Sequence, residues 1–242
     1  MIDILLNHRS IRKFETERPV SEETVETILR CAQMAPTSSH FQCYTIIRTR
    51  DSVKKSLLAE IAGGQEWVKQ APVVLLFCGD LHRSKKYYKH IDPGCLENTE
   101  AYTVAVADAS LAMQKAYIAA QAVGLGGVVV GGIRNNVEKV AELFRLPEMV
   151  FPLYLLCLGY PAEEPGQKPR LPMDVVVKEE FYDEREDDQN IARYDADMRD
   201  YYTQRTGGTS RDSWTERSGA YLMAKPRDEV GEYVRKIGLL QR

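Results

Sequence analysis

The chain has 242 residues, 44% of them hydrophobic and 28% charged, with a formal net charge of −3. At roughly 150 residues per domain it is long for one average domain and short for two, and a core of this size needs no disulfide staples. A slightly acidic balance gives no electrostatic drive toward nucleic acid or anionic lipid, so neither is expected as a partner. The five cysteines (31, 43, 78, 95 and 157) form no CxxC pair, which reads as buried, reduced thiols. The N-terminus has no signal-peptide run. The longest apolar stretch, Ala101 to Val123, is broken by Asp108, Gln114, Lys115 and Gln121, so a membrane span is not expected. These features predict a cytoplasmic protein.

In chain order, Ser21 caps a helix to Ala35 with Glu22 and Glu23 in its first turn, and Pro36 stops it. Cys43 to Arg48 reads as a strand. Asp51 caps a second helix that ends at Gly63-Gly64. Val73 to Cys78 is a buried strand. The longest predicted helix runs from Thr99 to Val123, with Tyr102, Val106, Ala109, Met113, Ala116, Ala120 and Val123 on one face and little surface suited to water. Gly127 to Gly132 is a third strand, Asn135 caps a short helix to Phe144, and Pro152 to Gly159 is a fourth strand. Residues 179–200 carry ten acids and three arginines. Ile191, Tyr194, Met198 and Tyr201/Tyr202 nevertheless keep helical spacing there, so a docking helix is expected. A last helix is predicted from Lys225 to Ile237.

No phosphate-binding GxxxxGK[ST] and no GxSxG occurs, and the histidines at 8, 40, 82 and 90 lack metal-ligand spacing. Gly124, Gly126 and Gly127 follow a helix and open a strand, the reverse of a dinucleotide fingerprint. Two basic clusters remain. In an extended His8-Arg9-Ser10-Ile11-Arg12, residues His8, Ser10 and Arg12 project to one side. In Lys168-Pro169-Arg170 the proline extends the chain, so both cations can point one way. Both suit an anion such as phosphate, and each taken singly also describes a solvated turn. Pro36 to Gln42 offers hydroxyls and an amide for a polyol or polar heterocycle. Gln65 adds an amide on a flexible turn, and Val130-Gly131-Gly132 lets a flat ligand approach the backbone.

In order and spacing, HRSIR, PTSSHFQ, GGQ, GLGGVVVGGIRNN and CLGYPAEEPGQKPRLP resemble the FMN-dependent nitroreductase family, in its oxygen-insensitive NADPH nitroreductase and NADPH–flavin oxidoreductase branch. The likeness extends into the YY…R…RDSW segment after residue 200. It implies an α+β fold, a mixed and mainly antiparallel sheet flanked by helices, in an intertwined homodimer with the 99–123 helix at the interface. Residues 1–180 would be the FMN-binding core, and 181–242 an extension around the partner. The implied FMN contacts are His8, Arg9, Ser10, Arg12, Thr37, Ser38, Ser39, Gln42, Gln65, Val129, Val130, Gly131 and Gly132, with Lys168 and Arg170 joining His8 at the phosphate. The implied chemistry is ping-pong hydride transfer from NADPH through the flavin N5 to nitroaromatics, quinones, azo compounds or free flavin, with no catalytic side chain and no metal. Arg205 matches the family's dinucleotide-binding arginine, with Arg134 and Arg211 as further candidates. Ser210 stands where relatives selective for NADPH carry a second arginine, so NADH is expected to be accepted as well.

Overall fold

The computed structural model describes residues 2–242. By internal contacts they form two compact units, 2–165 with 227–242, and 166–226.

The first unit opens with a short helix, α1 (Ile2–Leu6), then an extended segment whose Ser10 bridges Gly127 in parallel. Next come α2 (Glu22–Gln33), β1 (Tyr44–Thr49), α3 (Ser52–Ile61), α4 (Glu66–Gln70), β2 (Val73–Asp80) and α5 (His82–Tyr87). The long α6 (Thr99–Ala122), β3 (Gly126–Val130), α7 (Val137–Phe144) and β4 (Val150–Gly159) complete the layers. The sheet order is β1-β2-β4-β3 and every ladder is antiparallel. The parallel bridge at Ser10 is what makes the pairing mixed.

Side-chain alternation sorts this sheet into two cores. Val73, Leu75 and Phe77 of β2 pack on one face with α2 and α6. Val74, Leu76 and Cys78 pack on the other with α3, α4 and α7. A bulge between Phe77 and Cys78 shifts the β4 register. Cys43, Cys78 and Cys157 are buried as expected, whereas Cys31 is half-buried and Cys95 exposed. Burial holds the Cys157 thiol up at about 12, where it stays protonated. No helix among the described residues is long and apolar enough to cross a membrane.

The predicted caps at Ser21 and Asp51 are present, each accepting backbone N–H groups. Others differ. Asn136, not Asn135, caps α7 through the Lys139 amide; the Asn135 side chain instead donates to the Ile61 carbonyl, at 3.0 Å. The strand expected at 127–132 is β3, which stops at Val130, and Gly131 to Asn136 wind into a 3₁₀ turn. On α6 the buried stripe is Ala105, Ala109, Ala112, Ala116 and Ala120, flanked by Asp108 and Tyr117. Val106 and Met113 are half-buried and Val123 is exposed. Small side chains occupy the stripe because the helix lies close to the sheet, which leaves larger ones for its margins.

In the second unit, α8 (Met173–Val176) precedes α9 (Asp187–Arg205), the acid-rich helix with the predicted spacing. Tyr194, Met198 and Tyr202 are its buried face, with Trp214 and Leu171 against them. The helix α10 (Trp214–Ala224) has no counterpart in the sequence reading. It begins with a reciprocal capping box between Ser213 and Glu216. Ser213→Ala removes that cap and should cost about 1 kcal/mol, read as a lower denaturation midpoint at unchanged slope.

The last helix, α11 (Asp228–Lys236), starts three residues later than expected, because Pro226 and the left-handed Arg227 (φ 55°) precede it. It returns to the first unit. Tyr233, Val234 and Leu239 join the α6-side core, and the Met149 amide donates to the Ile237 carbonyl at 3.0 Å.

Candidate functional site

The predicted residues of the first unit fall into two groups. One centres on the segment 8–12. The Ile11 amide donates to the Gly127 carbonyl at 2.8 Å, which lays this segment along β3. Gly126 permits the approach: a Cβ there would lie 2.5 Å from Ile11 Cγ1. Arg9 and Ile11 line a 760 Å³ groove together with Gln121. The His8 ring meets Tyr117 edge-on at 5.2 Å, and Gln121 Nε2 lies 3.5 Å from its Nδ1. Tyr117 donates its hydroxyl to the Gly127 carbonyl. Burial pushes that phenol up to about 12, with Arg12 and this hydrogen bond acting against the rise. The Arg12 guanidinium lies 5.5 Å from the Trp67 ring centre, and its backbone amide donates to Glu163 at 2.7 Å. Arg9 stands apart from the group: it pairs with Glu164 at 2.8 Å, and its Nε is buried without a partner.

The same group continues across the C-terminal end of β3. Val129 and Val130 lead into Gly131 and Gly132. A Cβ on Gly132 would lie 2.8 Å from the Ala62 carbonyl oxygen and 3.1 Å from Gln65 Nε2, and one on Gly131 would lie 3.0 Å from an Arg134 guanidinium nitrogen. Gln65 donates to the Ala62 carbonyl at 2.9 Å, and Arg134 donates to the Leu153 carbonyl. Gly131-Gly132 is therefore a bare stretch of backbone between an amide and a guanidinium, both held by carbonyls.

The second group is the loop 37–42. Ser39, His40 and Gln42 all have positive φ (45°, 60° and 56°), a conformation costing non-glycine residues of order 1 kcal/mol each. Asp108 holds the loop at both ends. Its Oδ1 accepts from the Ser38 amide at 3.0 Å and its Oδ2 from the Cys43 amide at 2.9 Å. Arg83, itself paired with Asp80, donates to the Gln42 carbonyl at 3.3 Å. Asp108 is 1% exposed. The sequence reading met it only as an interruption of an apolar run, although an acid among alanines on a buried helix face requires hydrogen-bond donors. Arg83, Tyr117 and Trp67 were likewise not singled out.

In the second unit, Arg170 donates to the Lys168 carbonyl at 2.8 Å, and Lys168 Nζ lies 5.3 Å from the Tyr202 ring centre. Arg205 donates to the Tyr201 hydroxyl at 2.6 Å, and Arg211 is exposed. Among the described residues there is no cluster of side chains that could hold a metal ion.

Comparison with known sequences shows the family. The nitroreductase family model matches residues 5–160, and the model of the family's C-terminal domain matches 168–242. The chain belongs to the nitroreductase family. It is 40% identical to the FMN reductase (NADPH) of Bacillus subtilis, over 98% of this chain and 97% of that protein. It is also 40% identical to the oxygen-insensitive NADPH nitroreductase of Salmonella typhimurium, over 100% and 98%. A solved nitroreductase structure from B. subtilis superposes with a TM-score of 0.96 at 38% identity, covering 100% of this chain and 99% of that one.

Proposed function

We propose that this nitroreductase-family chain is an FMN-dependent NAD(P)H oxidoreductase that passes electrons from NADPH to flat, electron-poor acceptors: nitroaromatics, quinones, azo compounds or free flavin. The observation that carries this reading is the Gly131-Gly132 backbone, bare of side chains because a Cβ on Gly132 would collide with the Ala62 carbonyl and crowd Gln65. Bound FMN supplies reversible two-electron chemistry at its ring; the chain supplies binding, orientation and electrostatics. Gly131 and Gly132 present backbone to the ring edge, and Gln65 presents its amide. Arg12, ordered over Trp67, puts a cation beside the ring, which favours an anionic reduced state. Ser38, Ser39 and Gln42 offer hydroxyl and amide groups to ring or ribityl oxygens, as does Thr37. Ser10 and His8 continue the first group toward the ribityl chain and phosphate, with Lys168 and Arg170 as phosphate ligands. Arg9 would contact the flavin through its backbone, its side chain being engaged by Glu164.

The two groups support a homodimer. Asp108 and Tyr117 are nine residues apart on α6, about 13 Å along the axis and roughly half a turn around it. One flavin meets both groups if a second copy presents its loop across the exposed stripe of α6, Thr103, Ala107, Leu111 and Gln114. Phe181, Tyr182, Leu222 and Met223 are exposed in the single chain, as an extension that wraps a partner would leave them. The expected mass in solution is that of two chains, and a yellow monomer would contradict the dimer. A cytoplasmic setting fits the free thiols.

The test is the absorbance spectrum of the purified protein, recorded without oxygen before and after NADPH and then NADH. Flavin bands that bleach with the nucleotide are expected; a colourless preparation that binds no added FMN would sink the reading. With Ser210 beside a single Arg211, the kcat/KM ratio of NADPH to NADH should stay below about 100, since a larger one requires about 2.7 kcal/mol of phosphate recognition.

A further inference from the structure

We propose that Arg217 joins Lys168 to form a seat for a phosphate monoester on the ring of Tyr202. This rests on the flavoprotein reading above and adds a binding residue to it.

Some cations of the second unit are neutralised within it. Lys178 pairs with Asp187 at 2.6 Å, Arg185 with Asp183 at 2.6 Å and Arg199 with Glu216 at 3.1 Å. Lys168, Arg170, Arg205 and Arg211 have no carboxylate partner among the described residues. Two cations then lie against one aromatic ring. Lys168 Nζ lies 5.3 Å and Arg217 Cζ 4.6 Å from the centre of Tyr202. That ring is itself fixed, being buried and packed edge-on against Tyr201 at 5.3 Å, and Tyr201 carries Arg205 on its hydroxyl. The backbone under Arg217 is set as well. The Ser213–Glu216 capping box defines the first turn of α10, and Asp195 accepts the Thr215 amide at 3.0 Å.

Arg217 pairs with one carboxylate, Asp212 at 3.4 Å, and both side chains are about half exposed. Such a surface pair contributes little and yields to a stronger anion. Two like charges on one ring repel, and a dianion relieves the repulsion where a carboxylate would satisfy only one of them. A phosphate monoester carries close to two charges near neutrality. A guanidinium can stack on tyrosine while its edge N–H groups still face a phosphate. Two molecules of the proposed reaction carry such a group: FMN, at its ribityl end, and NADPH, at its 2′ position.

The experiment uses the full-length holoenzyme with Arg217→Met and Arg217→Lys. If the seat holds the flavin phosphate, R217M weakens FMN binding by about tenfold or more, leaves riboflavin affinity unchanged, and R217K recovers most of the loss. If it holds the nucleotide phosphate, flavin affinities stay put and the NADPH/NADH ratio of kcat/KM falls about tenfold at saturating FMN. Either result supports the seat and names its occupant. A folded R217M that changes neither quantity overturns it. So does one that weakens riboflavin as much as FMN, or NADH as much as NADPH, because that is a packing effect. Inorganic phosphate gives a readout that needs no flavin: it should raise the Tm of the wild type and not of R217M. A wild type that responds to phosphate but binds no FMN would sink the flavoprotein reading alone. Should R217M fail to fold, R217Q carries the same comparisons.

Discussion

Asp108→Asn should release the flavin although it alters a side chain that reaches no ligand. Asp108 accepts two backbone N–H groups with two oxygens, at 3.0 and 2.9 Å. Asparagine keeps the shape and one acceptor, but turns an NH₂ toward the second amide, donor against donor. The Cys43 amide is buried, so leaving it unsatisfied costs about 1–3 kcal/mol. The Ser38 amide, nearer the surface, loses less because water can replace its partner. That energy falls on the loop whose Ser39, His40 and Gln42 already occupy the left-handed region, a conformation that persists only while the surroundings over-determine it. When the competent loop is no longer the dominant state, apparent affinity falls by the lost fraction. The expected loss of FMN affinity is up to about 150-fold, with a lower Tm in the apoprotein. The measurement is flavin fluorescence on titrating apoprotein. A variant with wild-type FMN affinity would show that the loop does not depend on Asp108.

Gly132→Ala should be the most damaging single methyl at the site. The new Cβ would stand 2.8 Å from the Ala62 carbonyl oxygen and 3.1 Å from both Ala62 Cα and Gln65 Nε2. Two of those three neighbours are backbone at the end of α3 and cannot step aside without moving the helix end. Overpacking of this kind costs about 1–3 kcal/mol. It also breaks the alignment of the Gln65 amide, which donates to that same carbonyl. FMN affinity should fall at least about tenfold, equal to 1.4 kcal/mol. Gly131→Ala is the control, because its Cβ would meet only the tip of Arg134, at 3.0 Å, and a long side chain can withdraw. If Gly131→Ala proves as harmful as Gly132→Ala, crowding against Ala62 is not the cause.

Local physics explains which parts of this molecule were legible in advance. Helices with a capping acid or hydroxyl and a clean stop, α2 and α3, follow from Ser21, Asp51 and the glycines at 63 and 64, because capping is decided within a few residues. The β2 and β4 strands follow from unbroken apolar runs. Less legible were α1, α4 and α5, which are only five or six residues long and carry too little periodicity to detect. The cap of α7 moved from Asn135 to Asn136 because a tertiary partner, the Ile61 carbonyl, takes the Asn135 side chain.

The candidate site divides in the same way. From their order and spacing, HRSIR, PTSSHFQ and GLGGVVVGG identified the family. Acidic 179–200 could be assigned to a helix because its aromatic spacing persists through the charge. Distances between remote side chains were beyond reach. Only the folded chain puts Asp108 under the 37–42 loop, Arg12 over Trp67 and Arg217 on the ring of Tyr202. Each of these contacts joins segments or helices whose mutual approach is settled by packing, and a linear pattern records periodicity and composition but not which faces meet. The −3 net charge of the opening arithmetic belongs to that second category. It sums an acid-rich α9 with cations that remain unpaired, and where those cations stand is a property of the tertiary structure.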